Sequence, residues 1–370
     1  MANKKQVCLK NMGKNISWLF ELKTKVPNFL QKLKGKRRPS FYHYSLSGDL
    51  FGENIKWGLG NSVFFLKIIY TLDLEKEYRQ ETEKTIKFIR SFQRKDGSFS
   101  DPLVNWLSVP LRLTNSIKSW DFGNILNKQT VRAETRQSIS ALSLFGAKPD
   151  YAYRNFPKTN NKIDKYLSEL NWEFPWGAGS HFSHLLFFLR YSSLKNKQGL
   201  IEYVIDWINK LQYNKDGFWY KGNPSIQQKI NGAMKIITGL KVVDKINFRY
   251  PEKIIDNALL AINDKQACDN FNIVYVLKYC NELTGGYYRF DDIKQFMYNR
   301  IDRYRAYYFS KIGGFSFKEN RAGQFYYGAP VSRGKNEPDI HGTVLFLWGV
   351  SIIAQVLGIN EKLKFKEFVS

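Results

Sequence analysis

The chain has 370 residues and a mass of 43.4 kDa, room for two domains or for one large helical domain. A 43% hydrophobic fraction excludes a mostly disordered chain, and no apolar run of about 18 residues exists to form a spanning helix. Lys+Arg number 57 against 33 Asp+Glu, and the net charge of +24 points to an anionic partner: nucleic acid, anionic lipid or an acidic glycan.

Residues 1–40 carry eleven Lys/Arg and one acid, Glu21. Trp18, Leu19, Phe20, Leu22, Val26, Phe29, Leu30 and Leu33 fall there at roughly helical spacing, and Pro27 is expected to kink or divide the helix. Such a basic amphipathic element either lies on an anionic membrane surface, through residues 10–38, or packs on the body with its lysines in water. Residues 1–45 are read as this segment and 46–370 as a single domain. The segment lacks an uninterrupted apolar region and a small-residue cleavage site, so no secretory leader is expected. Cys8, Cys268 and Cys280 form an odd, sparse set that fits a reducing compartment. The expectation is a cytoplasmic protein, peripheral at a membrane if the N-terminal segment binds there.

A weak internal repeat follows. KFIRSFQRKDGSF, residues 87–99, carries Gln93, Gly97 and Phe99. WINKLQYNKDGFW, residues 207–219, carries Gln212, Gly217 and Trp219. SKIGGFSF, residues 310–317, is a degenerate third copy without the Gln. In each, a helix ends in a turn where glycine supplies positive φ, an aromatic anchors the turn, and the Gln amide can tie helix end to loop. Apolar helices follow the copies, at Arg132–Phe145, Ser225–Leu240 and Ile340–Leu357, and three more lie at Ile55–Thr71, Ser180–Tyr191 and Asn270–Leu283. Amphipathic helices run between them at Glu75–Phe92, Lys162–Leu170, Ile201–Leu211, Glu252–Ile262 and Ile293–Phe309. Buried and amphipathic helices thus alternate, and strand signals are weak. About six inner helices, each with an outer partner, predict an all-α chain closed as an α/α toroid, because a helix pair cannot bury its apolar face alone. The N-terminal basic segment should supply the first outer partner.

The Gln, Gly, aromatic unit resembles the repeat of the squalene–hopene cyclase and protein prenyltransferase β-subunit superfamily. IHGTVLFLWGVSIIAQVLG, residues 340–358, is similar to the final inner helix of farnesyltransferase-type β subunits, and VRAETRQSISALSLFG, residues 131–146, to their arginine-bearing inner helix. The resemblance covers roughly residues 50–358. It implies a zinc-binding role for His341, a substrate-holding role for the arginine helix, and a helical partner subunit. The departures are specific. In QACDNFNIVYVL, Asp269 stands at the family's Asp position, but Phe271 replaces the zinc-binding Cys, leaving Asp269 and His341 as a weak zinc pair. Neither D-x-D-D nor D-D-x-x-D occurs, and Asp291-Asp292 begins an outer helix, where acids commonly cap.

Polar residues at the inner-helix N-termini are the candidate site. His341, Asp269, Glu134, His181 and His184 are the catalytic candidates, since a His–carboxylate pair serves acid/base chemistry. His181 and His184 share a helical face, and only His43 of the four histidines lies elsewhere. Arg132 and Arg136, four apart, would hold a diphosphate or carboxylate. Gln228, Asn231 and Asn270, with Trp57 and Trp219, complete the substrate-binding candidates, and Trp176, Tyr287 and Tyr326 are further aromatics for a cavity or cleft. The glycine-rich turns follow helices and form no P-loop or dinucleotide fingerprint.

Three functions remain open. One is an enzyme acting on an isoprenoid or polyprenyl-linked anionic substrate in a central cavity. The second is a carbohydrate-active lyase, epimerase or hydrolase on an acidic glycan, for which only Glu134 and Asp269 are available as facing carboxyls. The third is a non-catalytic scaffold for an anionic partner. Nucleic acid is not expected, because the basic residues are dispersed and no recognised module is visible.

Overall fold

The computed structural model describes residues 16–119 and 128–369; Cys8 and the first part of the 10–38 segment lie outside them. A 3-10 turn, Ser17–Glu21, leads into α1, Leu22–Leu33. Helices then follow as α2 Leu59–Thr71, α3 Arg79–Arg90, α4 Pro102–Leu107, α5 Val109–Ser119, α6 Lys128–Leu144, α7 Asn160–Ser168, α8 Pro175–Arg190 and α9 Lys197–Leu211. The remainder are α10 Ile226–Val242, α11 Pro251–Leu260, α12 Ala267–Leu283, α13 Phe290–Arg305, α14 Ile340–Val356 and α15 Asn360–Leu363. Strand structure in the described residues is limited to the short hairpins β1 Tyr308–Phe309 with β2 Gly314–Phe315, and β3 Phe325–Tyr326 with β4 Ala329–Pro330. The chain is therefore mostly helical.

The six apolar helices foreseen from the sequence are α2, α6, α8, α10, α12 and α14. Each packs on the next in that order, and α14 packs on α2, so the contacts run in a closed cycle. Small residues permit the closest of these contacts. A Cβ on Gly179 would lie 2.8 Å from the Gly232 carbonyl, and one on Gly232 2.8 Å from that of Pro175, so α8 and α10 meet backbone to backbone. The amphipathic helices lie outside, α3 on α2, α9 on α8, α11 on α12 and α13 on α14. α13 shows why: it buries Ile293, Met297, Arg300, Ile301 and Tyr304, one stripe at helical period.

The repeat turns act as the sequence suggested. Gln93 donates through Nε2 to the Gly97 carbonyl at 3.1 Å and accepts from the Asp150 N–H at 2.7 Å. Gln212 does the same with Gly217 at 2.7 Å and the Arg249 N–H at 3.0 Å. The second copy carries one residue more between Gln and Gly, and still pairs Gln212 with Trp219 as the first pairs Gln93 with Phe99. Gly97, Gly217 and Gly313 all have positive φ, at 84°, 83° and 100°. Each glycine abuts the backbone of a following segment: Ala152 before α7, Tyr250 at α11, and Lys25 in α1. The third turn thus reaches back to the N-terminal helix and joins the two ends of the cycle. Gly97→Ala is expected to cost about 2 kcal/mol or more in a urea titration, because a side chain there is strained by its φ and meets a carbonyl that cannot move away.

Pro27 does not divide α1, which runs unbroken through it. A 3-10 turn precedes α1, and the missing N–H removes only one early hydrogen bond. Leu22, Val26, Phe29, Leu30 and Leu33 are fully buried in the common core. The apolar side of this basic helix is therefore already covered by the body, leaving its lysines outward.

Candidate functional site

A cavity of about 520 Å³ lies within the cycle, and all six inner helices line it. That is a size typical of small-molecule sites, which run to roughly 300–1,000 Å³. Its walls are largely aromatic: Phe64, Trp176, Phe271, Tyr326, Tyr327 and Trp348. Phe368, from the C-terminal segment, stacks on Trp348 at 4.0 Å and closes one end. That segment is held by Glu367, which accepts from Lys278 at 2.7 Å and Lys241 at 2.9 Å, and by Val369, whose carbonyl accepts from Ser140 Oγ at 2.9 Å. Phe174 and Phe325 line the cavity yet are each 61% exposed, which marks its mouth.

Three cations enter this apolar space, Lys67 from α2, Arg136 from α6 and Lys235 from α10. No Asp or Glu lines the cavity among the described residues. Lys67 donates to the Gln137 side-chain oxygen and lies 4.8 Å above the Phe368 ring. Arg136 is 4% exposed, and its Nε and Nη1 have no hydrogen-bond partner. Burial, then repulsion from Arg136 and Lys235, holds Lys67 well below the ordinary lysine pKa. Lys235 is brought down to about 8 by burial and by Arg136. Buried cations that repel one another across an apolar cavity make a setting that favours an anion.

The histidines divide. His341 and His184 line the cavity, while His181 does not. The His341 ring stacks on Phe64 at 4.7 Å, and His184 meets His181 edge-on at 5.6 Å. Burial takes His341 and His181 to about 3 and His184 well below its usual value, so all three are neutral at pH 7. Their Nδ1 atoms have no partner among the described residues, leaving each able to make a hydrogen bond.

Several sequence candidates serve the frame instead. Asp269 does not line the cavity; it accepts from Gln227 and Asn231, both at 2.8 Å, and so joins α10 to α12. Asn231 also accepts from Asn263 and Asn272, and Asn270 caps the turn at Asp264 and Gln266 while accepting from Arg300. Asp269→Ala is expected to lower stability by about 2 kcal/mol or more in a denaturant titration, by orphaning two buried amides, with ligand binding in the cavity retained. Glu134 accepts from the Asp101 N–H at 3.1 Å, and burial with nearby Asp101 holds it well above the usual carboxylate range; it does not line the cavity. Arg132 lies over the Tyr166 ring at 5.4 Å, outside the cavity, so the two arginines do not converge. Trp57 and Trp219 are buried anchors, packed on Phe41 and Phe248, and Tyr287 is 88% exposed. Gln228, Trp176 and Tyr326 do line the cavity. Lys67 and Lys235 escaped sequence reasoning, although Lys67 is the lone charge of its apolar helix and Lys235 sits in the apolar middle of its own.

Zinc finds no ligand set here: Asp269 is taken up by amides away from the cavity that His341 lines, and among the described residues no three His, Cys, Asp or Glu side chains converge. No protein-family model matches the sequence, and a search of curated proteins returns no match.

Proposed function

We propose that the cycle of helices is an α/α toroid of the squalene–hopene cyclase and prenyltransferase β-subunit form, and that the chain acts on an isoprenoid or polyprenyl-linked anionic substrate. One observation carries this: Lys67, Arg136 and Lys235 stand in an aromatic-walled cavity that no described carboxylate lines. A diphosphate would supply charge to all three cations, and an isoprenoid chain would cover the rings. Cations fixed before the ligand arrives would stabilise charge developing on a departing diphosphate. The faces of Phe271 and Trp348 would stabilise positive charge on the apolar part. Neutral His184 or His341 would offer the bound ligand a hydrogen bond at Nδ1.

The glycan alternative needs two carboxyls across a groove, and neither Glu134 nor Asp269 lines the cavity. Isothermal titration with inorganic pyrophosphate, farnesyl diphosphate and an acidic oligosaccharide tests the choice. Farnesyl diphosphate should bind at least about tenfold more tightly than pyrophosphate, the increment from burying its chain. Binding of the oligosaccharide alone would overturn the proposal.

A further inference from the structure

Outside the cavity, α4 and α5 turn an apolar stripe to solvent. The helical hydrogen bonds continue between them, from the Ser108 N–H to Val104 and from the Arg112 N–H to Ser108. Trp106, Val109, Leu113 and Ile117 therefore fall at i, i+3, i+7 and i+11 on one side. They are 70%, 37%, 46% and 63% exposed, the reverse of a surface helix packed on a core. α4 contacts β4, and Leu111 reaches Gly328 in the turn between β3 and β4. That hairpin supplies Phe325, Tyr326 and Tyr327 to the cavity, so this helix borders the cavity mouth through Leu111, on the side away from the stripe.

We infer that this stripe is a docking face for an anionic lipid bilayer. Residues 102–119 contain Arg112 and Lys118 and no acid, within a chain of net charge +24. A basic helix with Trp, Leu and Ile on one face has the chemistry of an interfacial element, apolar side chains in the acyl boundary and cations toward lipid phosphates. The exposed Phe325 ring, on the hairpin that this helix touches, brings the cavity mouth near the docked element, giving an apolar ligand a route from lipid that avoids water. This last clause rests on the isoprenoid reading; the docking face does not. α1 offers no competing face, because its apolar residues are buried.

The test is flotation of the full chain with vesicles of phosphatidylcholine, alone or mixed with phosphatidylglycerol. The protein should float with the mixed vesicles, less so at high salt. The combined exposed substitutions Trp106→Ser, Leu113→Ser and Ile117→Ser should cut the floated fraction at least about tenfold without changing the thermal melt. Arg136→Gln should float like the parent. A parent that stays with the soluble fraction in both cases, or a triple variant that floats equally well, overturns the inference. So does a parent dimer or a helical partner complex that the triple variant dissolves, since the stripe would then be a protein interface. Pyrophosphate binding is read separately: a parent that floats but does not bind pyrophosphate faults the cavity reading and leaves the docking face standing.

Discussion

Arg136→Gln is expected to weaken pyrophosphate binding about 100-fold in isothermal titration, while the unliganded protein is as stable as the parent or more so. The loss corresponds to about 2.7 kcal/mol, the scale of a desolvated charge-assisted hydrogen bond. Stability moves the other way because Arg136 is buried beside Lys67 and Lys235 with Nε and Nη1 unpartnered. An arginine held by a structural ion pair would show the opposite, since its removal strands a buried carboxylate. Lys235 adds a pH signature. Its pKa near 8 lies below the ordinary 10.5, so between those values the unfolded chain holds the extra proton. Stability of the unliganded protein should therefore rise as pH climbs from about 8 to about 10.5, and pyrophosphate affinity should fall over the same climb. Lys235→Met should flatten the stability profile and raise stability at pH 7 by up to about 3 kcal/mol. Paired urea titrations across pH check this.

Asp339→Asn should give the largest loss among the frame residues. Asp339 is the N-cap of α14, where Oδ1 accepts from the Gly342 N–H at 2.7 Å. Oδ2 accepts from Phe317 at 2.7 Å and Gly323 at 2.9 Å. The adjoining backbone ties the loop before α2 to α14, with the Ile340 N–H on the Tyr44 carbonyl. This one carboxyl fastens the last inner helix, the third repeat turn and the closing loop. An amide fills the same volume but cannot serve three donors, and its NH2 faces two N–H groups or one. The expected cost is about 3 kcal/mol or more, a large share of an ordinary domain's stability, read as a lower urea midpoint. An unchanged midpoint would show that closure lies elsewhere.

The frame was legible because both helix classes announce themselves by period. Ile340–Leu357 had few polar interruptions, Arg132–Phe145 was rich in small residues, and Glu75–Phe92 alternated in stripes, so their inner and outer places followed. The repeat glutamines were legible because their amides act within a few residues. The site was less so. Lys67 and Lys235 went unread, because sequence does not tell which side of an all-round buried helix opens on a void. Asp269 and Asn231 looked functional at a helix start, yet they satisfy each other between α10 and α12. The stripe on α4 and α5 went unread because its apolar spacing is the same whether the face turns inward or outward; only its exposure separates the two.

An anion seated among Lys67, Arg136 and Lys235 would be seen in a crystal structure of the full chain soaked with farnesyl thiodiphosphate, through phosphorus positions. The diphosphate should lie within hydrogen-bond distance of the Arg136 guanidinium and Lys235 Nζ, with the chain against Phe271 and Trp348. Diphosphate held only by surface lysines, with the aromatic cavity free of the chain, would contradict it.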